Sequence, residues 1–355
     1  MGQTLPSHGA SHIPSLDGFR ALSVALVFLA HAGLDNVVPG GFGVTVFFFL
    51  SGFLITTLMR MEIAKNGHVN LGHFWLRRVL RILPPFYLVL AGASLLTWVI
   101  DGPGALGAAP IAAQALHITN YWVIGHGYEG VPTGTGVYWS LAVEEHFYLA
   151  FPWLYVALQR FAPRSQAMVF LGLCALVLMW RLFLVLHVHP SADRTYMGTD
   201  TRIDSILFGC ALAVWHNPVL DAPLLAEKWW KRLLLPGALG VLAACLVVRG
   251  EVFRETLRYT LQGLALAPVM IAAIRFRHWP LFRPLNWRPV AFLGVLSYSF
   301  YLVHFAVISA VQRIAPGLDA LLQGLLALAI ALALAALMYR YVERPCARLR
   351  QRLTD

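Results

Sequence analysis

Charge is scarce in this chain. Asp, Glu, Lys and Arg make up 12% of its 355 residues, roughly half the share of a soluble domain. That excludes an ordinary soluble fold, whose surface needs charge. Cysteine is scarce too. Cys174, Cys210, Cys245 and Cys346 stand singly, with neither zinc spacing nor a disulfide framework. The first three fall in apolar stretches and read as helix-packing residues. The apolar–polar alternation of an outer-membrane barrel is missing. The polar start, Met1 to Leu16, lacks the basic n-region and small-residue cleavage site of a signal peptide. The first apolar span is therefore expected to stay in the protein. No Walker loop, dinucleotide fingerprint, HExxH or nucleophile-elbow serine occurs. This argues against a cofactor held by a soluble-type fold, and no metal site is expected.

Apolar sequence is what the chain has instead. It is 59% hydrophobic, with a mean hydropathy of +0.67, and apolar runs of about 20 residues recur along it. The pattern predicts an all-α polytopic membrane protein with about ten spans, near 18–36, 42–59, 82–100, 139–158, 167–187, 199–215, 233–249, 257–274, 289–310 and 320–339. A single membrane domain is expected over 1–355, with short cytoplasmic tails at 1–17 and 341–355 and no separate soluble domain. The longest connection, 101–138, is rich in Gly and Pro and carries His117, Tyr121, Trp122 and His126. It reads as a re-entrant element or a lid over a site. The net charge of +10 is read as positive-inside loop charge rather than a nucleic-acid surface. Arginines crowd the loops on the side of the N-terminus, among them Arg77, Arg78 and Arg81. That predicts both termini inside.

Ionisable groups within spans mark functional sites by default. Arg20 and His31 share the first span and lie roughly 16 Å apart along a helix. The topology puts Arg20 at the inner face with Arg77, Arg78 and Arg81, and His31 near the outer face. A neutral imidazole can take a proton from a hydroxyl near neutral pH, which makes His31 the candidate general base. The competing reading is a packing histidine bonded between helices. Ser140, Glu144 and Tyr148 share one helix face. Glu144 is assigned to orient His31 and stabilise its imidazolium, with Glu145 in reserve. Solvated carboxylates are the alternative. Arg78 and Arg81, at i and i+3, suit bidentate phosphate recognition; lipid-headgroup contact is the alternative. Asp200, Arg202 and Asp204 open the sixth span. They read either as a sugar-binding or base-orienting set on the acceptor side, at the outer mouth, or as an ion-pair network tying helices. Ser297, Tyr301 and His304 form one polar stripe in the ninth span. The Gly40–Gly43 stretch is assigned to helix packing.

These residues together resemble acyltransferase family 3, the integral-membrane O-acyltransferases of bacterial surface polysaccharides. The resemblance rests on Leu16-Asp17-Gly18-Phe19-Arg20 followed by His31, and on Ser51-Gly52-Phe53. It continues through the Arg77-Arg78-x-x-Arg81 run, Trp139-Ser140-Leu141 with Glu144-Glu145 and Phe147-Tyr148, and Arg202-Ile203-Asp204. Ser297-Tyr298 with Tyr301 and His304, and the terminal Tyr341-Val342-Glu343-Arg344-Pro345, complete it. Thr45 stands where the family usually has Asp, and His146 where Gln is common. Longer members carry a fused SGNH-type domain outside the membrane, and none is expected here. The expectation is that it acts alone or with a separate periplasmic partner. The resemblance implies a multi-pass protein of the bacterial inner membrane. It implies an acyl-CoA donor, usually acetyl-CoA, as co-substrate with no bound cofactor. The acceptor is a hydroxyl of a saccharide or glycolipid, or, in some members, of a macrolide-like molecule. On this expectation Arg20, Arg77, Arg78 and Arg81 grip the donor, while His31 acts with Glu144 or Glu145. The rival classes are a transporter or flippase of lipid-linked sugars or acyl groups, and a non-catalytic assembly subunit.

Overall fold

In hydrocarbon, every backbone N–H and C=O must be paired inside the chain, and helices do this segment by segment. The computed structural model describes residues 13–354, and every regular element among them is helical. In chain order these are α1 (Leu16–Leu29), α2 (Gly40–Asn66), α3 (Leu71–Asp101), α4 (Ala108–Ala115), α5 (Thr119–His126), α6 (Trp139–Leu158), α7 (Pro163–Phe183) and α8 (Ala192–Met197). They continue as α9 (Thr199–Val214), α10 (Glu227–Trp229), α11 (Leu235–Val247), α12 (Glu251–Glu255), α13 (Leu257–Arg275), α14 (Arg288–Ile314), α15 (Ala320–Met338) and α16 (Arg344–Thr354). Among the described residues, 8 helical stretches are long and apolar enough to cross a membrane. The chain is an all-α polytopic membrane protein, as the composition requires. The other two expected spans, 139–158 and 199–215, are helical as α6 and α9 but fall outside that set. Both carry ionisable residues: Glu144 and Glu145 on α6, and Asp200, Arg202 and Asp204 on α9.

Position in the bundle follows from what each helix carries. Of the apolar windows of α2 and α14, 72% and 67% are buried, against 22% for α7 with its C-terminal turn and for the stretch from α15 into α16. The first pair forms the core and the second faces lipid, where exposed Leu176, Met179 and Leu321 are at home. The core crossing of α2 on α9 depends on two glycines. A Cβ on Gly52 would lie 2.0 Å from the Ile206 carbonyl oxygen, and one on Gly209 2.1 Å from that of Phe49. Any other residue would force the helices apart.

Two expectations are corrected. The third span starts at Leu71 rather than 82, because Asn70 caps it by accepting from the His73 N–H at 3.0 Å. Pro84 and Pro85 lie inside that helix. Proline lacks the N–H that would serve the Leu80 and Arg81 carbonyls, a loss that membrane helices tolerate; nearby, the Tyr298 hydroxyl donates to the Ile82 carbonyl at 2.8 Å. The segment 341–355, expected as a short tail, is helical through Thr354: it follows α15 through a π-turn (Tyr339–Glu343) and packs as α16 on α3. Most of the expected N-terminal tail lies outside the described residues. The connection 101–138 is a folded cap. The Gly107 N–H donates to the Gly130 carbonyl at 2.9 Å, and Gln114 Nε2 to Thr135 Oγ1 at 2.7 Å.

Candidate active site

Two cavities lie one above the other in the bundle. The narrow one, about 90 Å³, is lined by Arg20 of α1, Ser51 of α2, Arg78 and Arg81 of α3, Glu144 and Glu145 of α6 and Tyr298 of α14. The wide one, about 1300 Å³, is lined by His31, Asp35 and residues of the 101–138 cap, with Arg254 and Arg258 on its far wall. Ligand sites for whole small molecules need a few hundred cubic ångströms. The narrow cavity therefore suits a slender chain, and the wide one suits a bulky polar molecule.

At the arginine pole, Arg20 donates to Asp17 at 2.9 Å. Among the described residues, neither Arg78 nor Arg81 has a carboxylate within ion-pair distance, although Glu144 and Glu145 line the same cavity. The Arg78 guanidinium lies over the rings of Phe74 and Tyr148, 5.8 and 5.6 Å from their centroids. Its buried Nε has no hydrogen-bond partner among the described residues. The Tyr148 hydroxyl donates to Glu144 Oε2 at 3.1 Å. Its single proton is then committed, so Ser51 donates to it, at 2.5 Å. This leaves fixed guanidinium groups at the mouth of a slot, ready for an anion.

At the histidine pole the helix itself changes. α1 ends in a π-turn, Ala30–Leu34, that closes on Gly33 at φ 102°. Such turns recur at functional sites because they displace a side chain from the regular helix register. The displaced residue is His31. Its Nδ1 lies 3.0 Å from Nε2 of His304, and the His304 Nδ1 lies 2.6 Å from the Tyr301 carbonyl oxygen. A carbonyl only accepts, so His304 Nδ1 carries the proton and donates. In the neutral ring Nε2 is then the acceptor. His31 must therefore donate from Nδ1, which leaves its Nε2 lone pair unprotonated on a ring that lines the wide cavity. Phe305 stacks on the same ring with centroids 4.6 Å apart, and His304 is fully buried. At the rim, partial burial and then the Asp193 charge push the Tyr128 hydroxyl up to about 12, so it stays a neutral donor at neutral pH.

The structure places the expected residues differently from several sequence assignments. Glu144 is not the partner of His31: it lines the narrow cavity and holds Tyr148, while His304 supplies the partner. Arg77 does not join Arg20, Arg78 and Arg81; it pairs with Glu62 at 2.7 Å. Asp200, Arg202 and Asp204 line neither of these two cavities. Asp200 receives both terminal nitrogens of Arg194 together with Trp180 and Tyr121. Asp204 pairs with Arg181 at 2.7 Å, both side chains fully buried. Arg202 donates to Tyr196 O and Thr45 Oγ1 and sits 4.0 Å from the Tyr259 ring centroid. These three residues tie helices together. Tyr301 lines both cavities. The sequence reading overlooked Arg181 and named Ser51 only within the Ser51-Gly52-Phe53 run. Arg181 was findable, since a charge inside an apolar span is the same signal that marked Arg20. Ser51 carried no separable signal. Among the described residues, no group of three or more His, Cys, Asp or Glu is placed to hold a metal ion.

With this geometry in view, the comparisons are specific. The profile of the acyltransferase domain family, acyltransferase family 3, matches residues 13–340. Peptidoglycan O-acetyltransferase OatA of Listeria monocytogenes is 29% identical over 95% of this chain and 56% of its own length. The putative peptidoglycan O-acetyltransferase YrhL of Bacillus subtilis is 32% identical over 94% of this chain and 55% of its own. O-acetyltransferase OatA of Staphylococcus aureus is 28% identical over 94% and 57%. The chain thus spans little more than half the length of these relatives. No solved structure matches it.

Proposed function

Because the chain belongs to acyltransferase family 3, we propose that it moves an acetyl group from cytoplasmic acetyl-CoA to a saccharide hydroxyl of the peptidoglycan type on the far side of a bacterial inner membrane. The observation that carries this reading is the stacking of an arginine-mouthed slot beneath a wide, histidine-equipped cavity. The slot admits a pantetheine arm and not a nucleotide. The nucleotide phosphates stay at the mouth on Arg78 and Arg81, with Arg20 beside them. The arm then reaches toward His31, on the order of 16 Å along α1.

The acceptor hydroxyl lies in the wide cavity against His31 Nε2. His31 removes its proton as the oxygen attacks the thioester carbonyl carbon. The C–S bond breaks, and the proton held on His31 passes to the departing sulfur. His304 accepts from His31 Nδ1 throughout, which keeps the reactive nitrogen unprotonated before attack and shares the imidazolium charge after it. Glu144 serves the donor end: through Tyr148 it fixes the ring on which Arg78 rests. Glu145 lines the same wall.

The test is acetyl-CoA binding to purified protein, wild type beside Arg81→Ala and His31→Ala. Loss of one charge-assisted bond should weaken binding by roughly 1.5–3 kcal/mol in Arg81→Ala. His31→Ala should bind normally and transfer nothing. Equal loss of binding in both variants would make His31 structural and sink this reading.

A further inference from the structure

Among the described residues, the two cavities have two lining residues in common, Val44 of α2 and Tyr301 of α14. Both are nearly buried, at 5% and 7% exposure, so they form a neck rather than an open passage. The neck is rigid on both sides. The Tyr301 hydroxyl donates to the Val137 carbonyl at 2.9 Å, and Ser140, 2.7 Å away, donates to it in turn. Phe47 meets the Tyr301 ring edge-on at 6.3 Å between centroids. Opposite, Val44 is β-branched and so held to one χ1 in a helix. Its neighbour Gly43 lies against α1, where a Cβ would come 2.5 Å from the Ser23 carbonyl oxygen. Neither wall yields by a simple side-chain rotation. The neck also lies just below the chemistry, since the carbonyl of Tyr301 itself holds His304.

We propose that Val44 and Tyr301 form a gauge that selects the acyl group by width and not by length. This rests on the donor reading above. A linear acyl chain has the cross-section of the unbranched cysteamine end of the arm that carries it, so whatever admits that end admits the chain. Branching beside the reacting carbon adds a methyl to the cross-section at the point that must enter the neck. A group that does not fit an apolar pocket is disfavoured by roughly 10-fold or more per methyl-sized unit. The enzyme should therefore tolerate acetyl and short linear acyl groups and reject branched ones.

Thioethers of CoA test this without any acceptor. Calorimetry would compare S-butyl-CoA with S-isobutyl-CoA, whose branch sits one carbon beyond the position of the thioester carbonyl, on wild type, Val44→Ala and Val44→Ile in detergent, with desulfo-CoA as a reference ligand that does not enter the neck. Wild type should prefer the butyl ligand by roughly 10-fold. Val44→Ala should bring the two affinities together, and Val44→Ile should widen the gap, with desulfo-CoA affinity unchanged in both. Equal affinities in wild type, or a ratio that neither variant moves while desulfo-CoA still binds, would overturn the gauge alone. No binding of any CoA ligand to wild type would overturn the donor reading and the gauge with it.

Discussion

A single hydrogen bond decides which nitrogen of His31 can act as a base. Tyr301 sets the tautomer of His304, and His304 sets that of His31. This chain of inference makes a prediction that packing alone does not. His304→Ala leaves the His31 tautomer unspecified and should lower kcat by on the order of 10²–10⁴, the usual worth of a positioned general base. His304→Gln should keep much of the activity. Its side-chain oxygen can accept from His31 while its NH₂ donates to the Tyr301 carbonyl. Both variants should bind acetyl-CoA like wild type. If the two lose activity equally, the ring is needed for its shape and the relay is wrong. The individual residues were legible in sequence: Arg20, His31, Arg78, Arg81 and the stripe ending in His304 all stand out as polar groups in apolar spans. Their pairing was not. His31 and His304 are 273 positions apart, and periodicity gives the face of a helix but not the helix it faces. A triad-like carboxylate fits imidazole chemistry and points to Glu144, with Glu145 in reserve, and nothing in one sequence brings His304 to that place.

At the scale of elements, α9 shows how charge serves structure. Asp204 and Arg181 join α9 to α7, and Arg181 Nη2 also donates to Thr260 of α13 at 2.6 Å. Removing one partner strands the other charge away from water. Asp204→Ala should therefore cost about 3–5 kcal/mol of stability, read as a fall in melting temperature in detergent. The apolar pair Arg181→Met with Asp204→Leu should recover most of it. Acetyl transfer per folded molecule should hardly change, because neither side chain lines the narrow or the wide cavity. A normal melting temperature with transfer abolished would instead return Asp204 to the site. The helices themselves were readable from apolar runs, and α6 appears where the pattern put it, at 139–158. The misplaced start of α3 and the missed helix α16 have one cause. Both are arginine-rich stretches flanked or interrupted by proline, which read as loop, yet tertiary contact between α16 and α3 supports both as helices. The π-turn that displaces His31 has no sequence signature apart from Gly33, whose positive φ ends it.

For the whole molecule, the separation of two poles matters more than any one residue. A donor site and an acceptor site at opposite ends of a bundle are useful only if the two ends face different compartments. The positive-inside rule puts the arginine pole in the cytoplasm, where acyl-CoA is made, and this orientation can be tested with the chain's own cysteine. Cys346 lies in α16, which packs on α3 and its arginines, and it is partly exposed. Cys174, Cys210 and Cys245 are buried and should stay silent. Asn36, exposed at the rim of the wide cavity, marks the other pole. A membrane-impermeant maleimide applied to right-side-out vesicles should label Asn36→Cys in a Cys346→Ser background and leave Cys346 of wild type untouched. Inverted vesicles should reverse the result. Labelling of Cys346 from outside would place the arginines proposed to hold the CoA phosphates in a compartment without acyl-CoA. The two-pole mechanism would then fail even with every contact at His31 intact, because the chemistry of this protein depends on which side of the membrane each end of the bundle faces.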